Sequence, residues 1–266
     1  MKNPLTPKWL ETASDLSALD ARIWPRIAAR TERGEISIGS IPASELVRQF
    51  GTPLYVVDQE DFEARLMMAK RSFSDAAAKI GTTAKTYYAS KALLTTDVAR
   101  WVDQAGLSID VSTGGELAVA LAAGIDGSRI GMHGNNKSLV EIGRAVSANV
   151  GAIVIDSELE IERIASIAGA QDKIQPVRLR VNTGVHAHTH EYLATAREDQ
   201  KFGIALVDVE EMVEKIRSHS HLKFLGLHSH IGSQIFVVDG FLAAAERLLD
   251  VHAKLLINGE VPELNL

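Results

Sequence analysis

The sequence contains no cysteine, and this absence excludes several kinds of chemistry at once. Cysteine-based zinc fingers, thiolate nucleophiles and disulfide bridges all require that residue. The N-terminal residues also lack the apolar core of a secretory signal and the arginine-rich character of a transit peptide. We therefore expect a cytoplasmic protein that carries out no redox chemistry through its own side chains.

An excess of basic residues and long apolar runs are missing as well. Lysine and arginine number 28 against 34 aspartate and glutamate residues, which gives a net charge of −6. Binding along the phosphates of DNA or RNA requires the opposite balance. The longest apolar stretch covers residues 117–125, about half the length of a membrane-spanning helix. We expect neither nucleic acid nor a membrane as a partner.

What the sequence does contain is a regular alternation, from residue 52 onward, of short β-branched or aromatic runs with amphipathic helical stretches. This alternation is typical of a parallel α/β domain. The eight predicted strands cover residues 53–58, 84–90, 107–111, 129–134, 151–156, 176–182, 223–230 and 262–266. The predicted helices cover residues 60–79, 117–123, 138–149, 157–168, 209–217 and 240–256.

A (β/α)₈ barrel and a doubly wound sheet would both produce this alternation, and the polar strand faces favour the barrel. Arg178 and Arg180 alternate with apolar residues in one predicted strand, and His228 and His230 share a face of the next. Polar side chains that face a barrel interior indicate a site at the C-terminal strand ends. The residues at or just after such ends are Lys91, Asp110, His133, Asp156, Asn182 and His230.

Residues 1–50 do not follow the alternation. A short strand is predicted at 35–41 and a helix at 43–50, so we expect an N-terminal appendage outside the barrel. Residues 51–266 would form the (β/α)₈ TIM-type barrel. Since the last residues fall in the eighth predicted strand, we expect a barrel that is truncated after that strand and incomplete at its C-terminus.

Lys91 is the first candidate for chemistry, because a lysine amine forms Schiff bases with carbonyl substrates and with pyridoxal phosphate. The alternative is a solvated lysine in a loop between strand and helix. Asp110 ends the next predicted strand and could pair with Lys91. After it, Ser112 or Thr113 could cap a helix, with Glu116 completing a capping box. A catalytic role for the last three residues remains the alternative.

Histidines and a short turn supply further candidates. His228 and His230 would suit a metal site, as in barrel hydrolases. His186, His188 and His190 form a second apparent cluster in a long loop, but neither cysteine nor an HExxH signature supports a metal there. The turn at 231–234 has amides and a hydroxyl that could bind a phosphate. The long loop ends at 201–203 and could act as a lid.

Together these motifs resemble, in order and spacing, the alanine-racemase-like, fold-type III pyridoxal phosphate decarboxylases. The matching segments are YYASKA at 87–92, Asp110 with GGE at 114–116, LRV at 179–181, KFG at 201–203 and HSHIGSQ at 228–234. Within this family the diaminopimelate decarboxylases are the most similar, because of AHTHEY at 187–192 and the glutamine at 234. The resemblance spans residues 35–266.

The resemblance implies pyridoxal 5'-phosphate as the cofactor and no metal. Lys91 would form the Schiff base with the cofactor, and His230 would stack on the pyridine ring as the second catalytic residue. The cofactor-binding residues would be Lys91, Asp110, Arg180, His230, Gly232 and Ser233. Glu116 would have a structural role.

The implied reaction is the decarboxylation of meso-2,6-diaminopimelate to L-lysine and CO₂, by a homodimer acting on an amino-acid substrate. The family continues after the eighth strand with a glycine-rich phosphate loop and a C-terminal β domain, to which residues 1–50 would add a strand. We therefore expect a fragment that binds the cofactor weakly and has impaired activity alone. The alternatives are an ornithine- or arginine-type decarboxylase, a non-catalytic truncated homologue, or a metal-dependent hydrolase with zinc at His228 and His230.

Overall fold

The computed structural model describes residues 7, 15, 17–21, 23–185, 202–233, 235 and 238–266. The chain divides into two compact units, Met1–Met68 and Ala69–Leu266. Within the described ranges, no helix combines the length and the apolar character that crossing a membrane requires.

The first unit contains a small antiparallel sheet and a short helix. The sheet consists of β1 (Ala29–Arg30), β2 (Ile36–Ile38) and β3 (Ile41–Pro42), in that order. The single strand predicted at 35–41 is divided because Gly39 and Ser40 take positive φ angles and form a turn. Helix α1 (Ala43–Phe50) has the predicted bounds and ends at Gly51, whose φ of 79° suits a helix terminus.

The predicted first barrel strand, residues 53–58, is wrong as a strand. This segment has no regular secondary structure, although its Leu-Tyr-Val-Val run has high β-propensity. Leu54 is 38% exposed and Tyr55 is 98% exposed. High β-propensity reflects packing on a half-buried surface, and this segment has neither that burial nor a ladder of strand hydrogen bonds.

The second unit is built on one parallel sheet. Its strands are β4 (Tyr87–Ala89), β5 (Ser108–Val111), β6 (Ile130–Met132), β7 (Ala152–Ile155), β8 (Gln175–Asn182), β9 (Ile204–Ala205), β10 (Leu222–His228) and β11 (Glu263–Asn265). The spatial order is β4-β5-β6-β7-β8-β10-β11, with β9 beside the end of β8. The order follows the chain without the reversal of a doubly wound sheet, which confirms a TIM-type α/β fold. Within the described residues the sheet is open between β4 and β11.

Helices connect most of these strands. After α2 (Gln59–Lys79) they are α3 (Thr96–Gln104), α4 (Gly114–Ala122), α5 (Leu139–Ser147), α6 (Glu158–Ala170), α7 (Val209–Ser218) and α8 (Asp239–Leu255). The six predicted helices are confirmed with shifts at their ends. The sequence analysis missed α3, although Thr95 caps its first turn by accepting a hydrogen bond from the Val98 amide.

The two faces of the sheet differ in polarity. In β8, Val177, Leu179 and Val181 are buried, whereas Arg178 and Arg180 point to the opposite face, where they bind acidic side chains. The alternation predicted for this strand is therefore confirmed. The apolar face forms the core with the helices, and the polar face forms the interior in which the candidate site lies.

Candidate active site

The candidate residues meet at the carboxyl edge of the parallel sheet. Lys91 lies in a 3₁₀ helix directly after β4, and Asp110 lies in β5. Arg180 lies near the end of β8, and His230 follows β10 by two residues. Since carboxyl ends of parallel strands share one edge, four of the six predicted cofactor residues are brought to the same place.

Lys91 faces His230. The Lys91 Nζ atom lies 3.3 Å from His230 Nε2, and no carboxylate of the described residues lies within 4.0 Å of that amine. The predicted pairing of Lys91 with Asp110 is therefore not formed. Burial lowers the pKa of His230 to about 4, and the nearby Lys91, Arg180 and His133 add to the effect. The His230 imidazole is therefore neutral near pH 7.

Asp110 instead faces His133, which was predicted to lie at a strand end but was assigned no role. Asp110 Oδ1 lies 3.0 Å from His133 Nε2, although the two atoms are not aligned as a hydrogen bond and both are buried. The His133 ring packs edge-on against His228, with ring centroids 4.8 Å apart and an interplanar angle of 81°. Burial lowers the pKa of His228 well below its usual value, and its Nδ1 contacts Asn265 Oδ1.

Arg180 is held between a carboxylate and an aromatic ring. Its Nη1 donates to Asp156 Oδ1 at 3.2 Å, and its Cζ lies 5.1 Å from the centre of the Phe202 ring. Gly203 approaches the backbone of Arg180 so closely that a Cβ there would lie 3.0 Å from the carbonyl oxygen. The predicted motif at 201–203 thus contacts the site through Phe202 and Gly203, while its Lys201 lies outside the described residues.

The Asp156 backbone is bound by one member of a buried ion pair, which was not predicted from the sequence. Lys137 Nζ lies 2.8 Å from Glu160 Oε2 and donates to the carbonyl oxygen of Val154 at 2.7 Å. The same Glu160 oxygen accepts a hydrogen bond from the Asp156 amide at 2.9 Å. Both charged side chains are almost fully buried. The pair therefore supports the backbone that carries the partner of Arg180.

A second polar connection crosses the interior below the site. Arg178 Nη2 donates to Glu263 Oε2 at 2.6 Å and to the Tyr87 hydroxyl at 3.2 Å. These residues belong to β8, β11 and β4, so one guanidinium joins the two edge strands of the described sheet. The sequence placed Arg178 on the polar face but carried no signal for its partners, because they are 85 and 91 residues away.

Helix α4 begins with the capping arrangement expected around Thr113. The Thr113 hydroxyl accepts a hydrogen bond from the Glu116 amide at 3.1 Å. The Glu116 carboxylate accepts from the Ser112 amide at 2.6 Å. Thr113 is thus confirmed as the cap of α4, whereas Glu116 binds the amide of the residue before the cap and does not complete a capping box.

The turn after β10 is described only as far as Ser233 and again at 235. Gly232 has a φ angle of 138°, which residues with side chains rarely adopt, and Ser233 is exposed. The predicted phosphate-binding residues thus lie next to His230. Gln234 and the histidines at 186, 188 and 190 lie outside the described residues.

Metal-binding geometry is absent from the part of the chain that the structure describes, where no group of three histidine, aspartate or glutamate residues is placed to hold an ion. His228 contacts Asn265 and His230 contacts Lys91, so nothing in their contacts favours the hydrolase alternative. Two shallow depressions of about 310 and 330 Å³ lie at the starts of β8 and β10, and neither includes the residues described above.

Residues 64–260 match the family model described as the pyridoxal-dependent decarboxylase, pyridoxal binding domain. The diaminopimelate decarboxylase of Mycobacterium tuberculosis is 48% identical over 238 residues, which cover 89% of this chain and 52% of that protein. The Bacillus subtilis enzyme of the same name is 39% identical over 221 residues, 82% of this chain and 49% of the relative.

A solved structure shows the same relation. The diaminopimelate decarboxylase from M. jannaschii, in co-complex with L-lysine, matches with a TM-score of 0.80 and 27% sequence identity. The match covers 91% of this chain and 56% of that one. The chain thus spans about half the length of the relatives that it matches.

Proposed function

The chain belongs to the pyridoxal-dependent decarboxylase family, and from this membership we propose that it binds pyridoxal 5'-phosphate through Lys91 and acts in the decarboxylation of meso-2,6-diaminopimelate to L-lysine and CO₂. The observation that carries the proposal is the Lys91 amine at the carboxyl edge of the sheet, 3.3 Å from a neutral imidazole. The choice of substrate rests on the relatives of 48% and 39% identity, both named diaminopimelate decarboxylase.

The residues present fit such a cofactor. An aldehyde requires an amine, and Lys91 has no carboxylate partner among the described residues. A phosphate and a substrate carboxylate require positive charge, and the Arg180 guanidinium lies close enough to His230 to lower its pKa. Asp110 Oδ1 and His133 Nε2 are buried atoms without a hydrogen-bond partner in the described structure, so polar groups remain to be satisfied at this place.

Each of these side chains would have a separate role in cofactor binding or proton transfer. Lys91 would hold the cofactor covalently through Nζ, and the same amine, once the substrate amine has displaced it, would return a proton to the substrate Cα. His230, neutral near pH 7, offers a flat ring for stacking without repelling a cationic group. The other proposed cofactor contacts are Asp110, Arg180, Gly232 and Ser233. When bound, pyridoxal phosphate supplies the electron sink for cleavage of the bond between Cα and the carboxylate.

The organisation of the whole protein is also a proposal. We propose a homodimer in the cytoplasm, with residues 1–50 as an appendage to the barrel at 51–266. These points rest on the resemblance and on the sequence pattern. Size-exclusion chromatography with light scattering measures the oligomeric state, and a monomeric species at working concentrations would contradict a homodimer.

Borohydride reduction in the presence of pyridoxal phosphate, followed by peptide mass mapping, tests the cofactor residue. We expect one modified residue, Lys91. The variant Lys91→Arg keeps the charge and should lose the modification, while Lys85→Arg, a change on the segment before β4, should retain it. Modification spread over surface lysines, or concentrated at another lysine, would contradict the assignment.

Release of CO₂ tests the substrate, with meso-diaminopimelate, ornithine and arginine compared at equal concentration. We expect turnover of diaminopimelate above that of the other two. Turnover of ornithine or arginine alone would contradict the choice of substrate and favour the related decarboxylases. Specific labelling of Lys91 without turnover of any of them would favour a non-catalytic homologue.

A further inference from the structure

The Asp110 carboxylate has two neighbours that could neutralise it. Asp110 is the register partner of Ala89 at the end of β4, and Lys91 lies in the 3₁₀ helix that follows directly. Lys91 and Asp110 therefore lie on neighbouring segments at the same edge of the sheet. Yet Asp110 Oδ1 lies 3.0 Å from His133 Nε2, and Lys91 Nζ lies beside His230.

The neighbouring strand β6 provides space for this orientation. Gly131 is the register partner of Asp110 on that strand. A Cβ at Gly131 would lie 2.3 Å from Asp110 Oδ1, well inside the distance of a van der Waals contact. Any larger residue would displace the carboxylate from its position against β6, so the glycine is required by the close approach.

His133, two residues after Gly131, provides the partner. Its ring is fixed edge-on against His228, with centroids 4.8 Å apart, and His228 is fixed in turn by Asn265. A deprotonated Nε2 would direct a lone pair at the carboxylate, so the proton of the ring belongs on Nε2. The contact is then attractive even though its alignment is not that of a hydrogen bond.

We propose that His133 and Gly131 are positioning residues that hold the Asp110 carboxylate against β6 and keep it away from the Lys91 amine. A carboxylate in an ion pair with Lys91 would stabilise the ammonium form, and only the neutral amine attacks an aldehyde. His133 thus favours the reactive form of Lys91 without touching it. This inference rests on the proposed function, because it treats Lys91 as the residue that binds the cofactor.

The other charged and titratable groups described near Lys91 form no ion pair with its amine. His230 from the segment after β10 faces the amine directly, and Arg180 from β8 lies close enough to influence His230. Asp156 is engaged by Arg180. Asp110 is the register partner of Ala89, two residues before Lys91 in the chain.

The test is the pH dependence of the reaction of Lys91 with pyridoxal phosphate in the full chain, measured by borohydride trapping and mass mapping of the Lys91 peptide. In His133→Leu the pH of half-maximal Lys91 labelling should rise by about one unit, as expected for a newly formed ion pair. In the double variant His133→Leu/Asp110→Asn it should return to the original value. His219→Leu, a histidine change next to α7, is the matched control and should not move the profile.

Gly131→Ala is a second variant that retains His133, so the inference stays testable if His133→Leu does not fold. It should move the pH of half-maximal Lys91 labelling in the same direction. Unchanged profiles in both variants, or a shift that persists when Asp110 is neutralised, would overturn the inference. Absence of specific Lys91 labelling in the unsubstituted chain would overturn the proposed function instead.

Discussion

At the scale of single residues, the site combines cationic side chains with histidines that stay neutral. Burial lowers the pKa of His230, and the nearby Lys91, Arg180 and His133 add to this effect. A protonated His230 would add a further positive charge beside Lys91. The neutral ring instead adds no positive charge beside the Lys91 amine.

Lys91 should therefore control the titration of His230. In Lys91→Met the pKa of His230 should rise from about 4 toward the ordinary histidine value, because the second-largest cause of its depression is removed. NMR titration of the His230 ring measures this shift. Lys254→Met, on the far helix α8, removes the same charge elsewhere and should leave the titration unchanged. A His230 midpoint that is equal in both variants would contradict the described contact.

At the scale of elements, close approaches between strands depend on particular glycines. Gly226 in β10 is the register partner of Glu263 in β11, and a Cβ at Gly226 would lie 1.8 Å from the Glu263 carbonyl oxygen. A backbone atom cannot move aside as a flexible side chain can. The pairing of the last described strand, and the position of Glu263 against Arg178, therefore require glycine at this position.

Gly226→Ala should destabilise the chain by about 1–3 kcal/mol or more, the usual range for overpacking. The matched control is Gly143→Ala in α5, where a Cβ meets nothing within 4 Å. That change should be neutral or should stabilise by up to about 1 kcal/mol, because alanine favours a helix. Urea unfolding of both variants measures the difference, and equal stabilities would contradict the register of β10 and β11.

The buried pair of α6 and the segment before α5 gives a second prediction at this scale. Lys137→Met should cost about 3–5 kcal/mol, because Glu160 would then be a buried charge without its partner. Burial lowers the pKa of Lys137, and Glu160 opposes that effect. The double variant Lys137→Met/Glu160→Gln should recover part of the loss in urea unfolding. A double variant no more stable than Lys137→Met would show that the cost does not come from the unpaired carboxylate.

At the scale of the whole molecule, the net charge is negative while the interior of the sheet holds several cations. The chain carries −6 overall, yet Lys91, Arg178 and Arg180 lie on the polar face, together with His228 and His230. Because both histidines have a pKa below the ordinary value in the folded chain, the unfolded chain binds more protons than the folded one in mildly acidic solution.

The free energy of unfolding should therefore decrease as the pH is lowered below about 6.5, the ordinary pKa of histidine. For His230 the loss develops as the pH falls from about 6.5 to about 4, since the unfolded chain is protonated there and the folded one is not. Urea midpoints across this range should decline less steeply in His230→Gln than in the unsubstituted chain. At pH 8 the histidine is neutral in both states, so any difference there reports packing alone. Parallel pH curves would contradict the depressed pKa.

Local sequence patterns determined much of the fold because the forces involved act between neighbours in the chain. The alternation of Val177, Leu179 and Val181 with arginines defined the two faces of β8, and the same kind of periodicity predicted six helices. The capping role of Thr113 also follows from residues within one turn. The motifs around Lys91, Arg180 and His230 indicated a site at the strand ends, and the parallel sheet brings those residues to one edge.

Tertiary structure decided which side chains face each other at that edge, because their partners lie far apart in the chain. Lys91 and His230 are 139 residues apart. The sequence alone does not determine whether the Asp110 side chain faces Lys91 or His133. The missing Cβ of Gly131 and the edge-on packing of His228 decide that orientation. In the same way, residues 53–58 have the composition of a strand but do not form one, because strand formation requires a paired neighbour and burial that composition alone cannot supply.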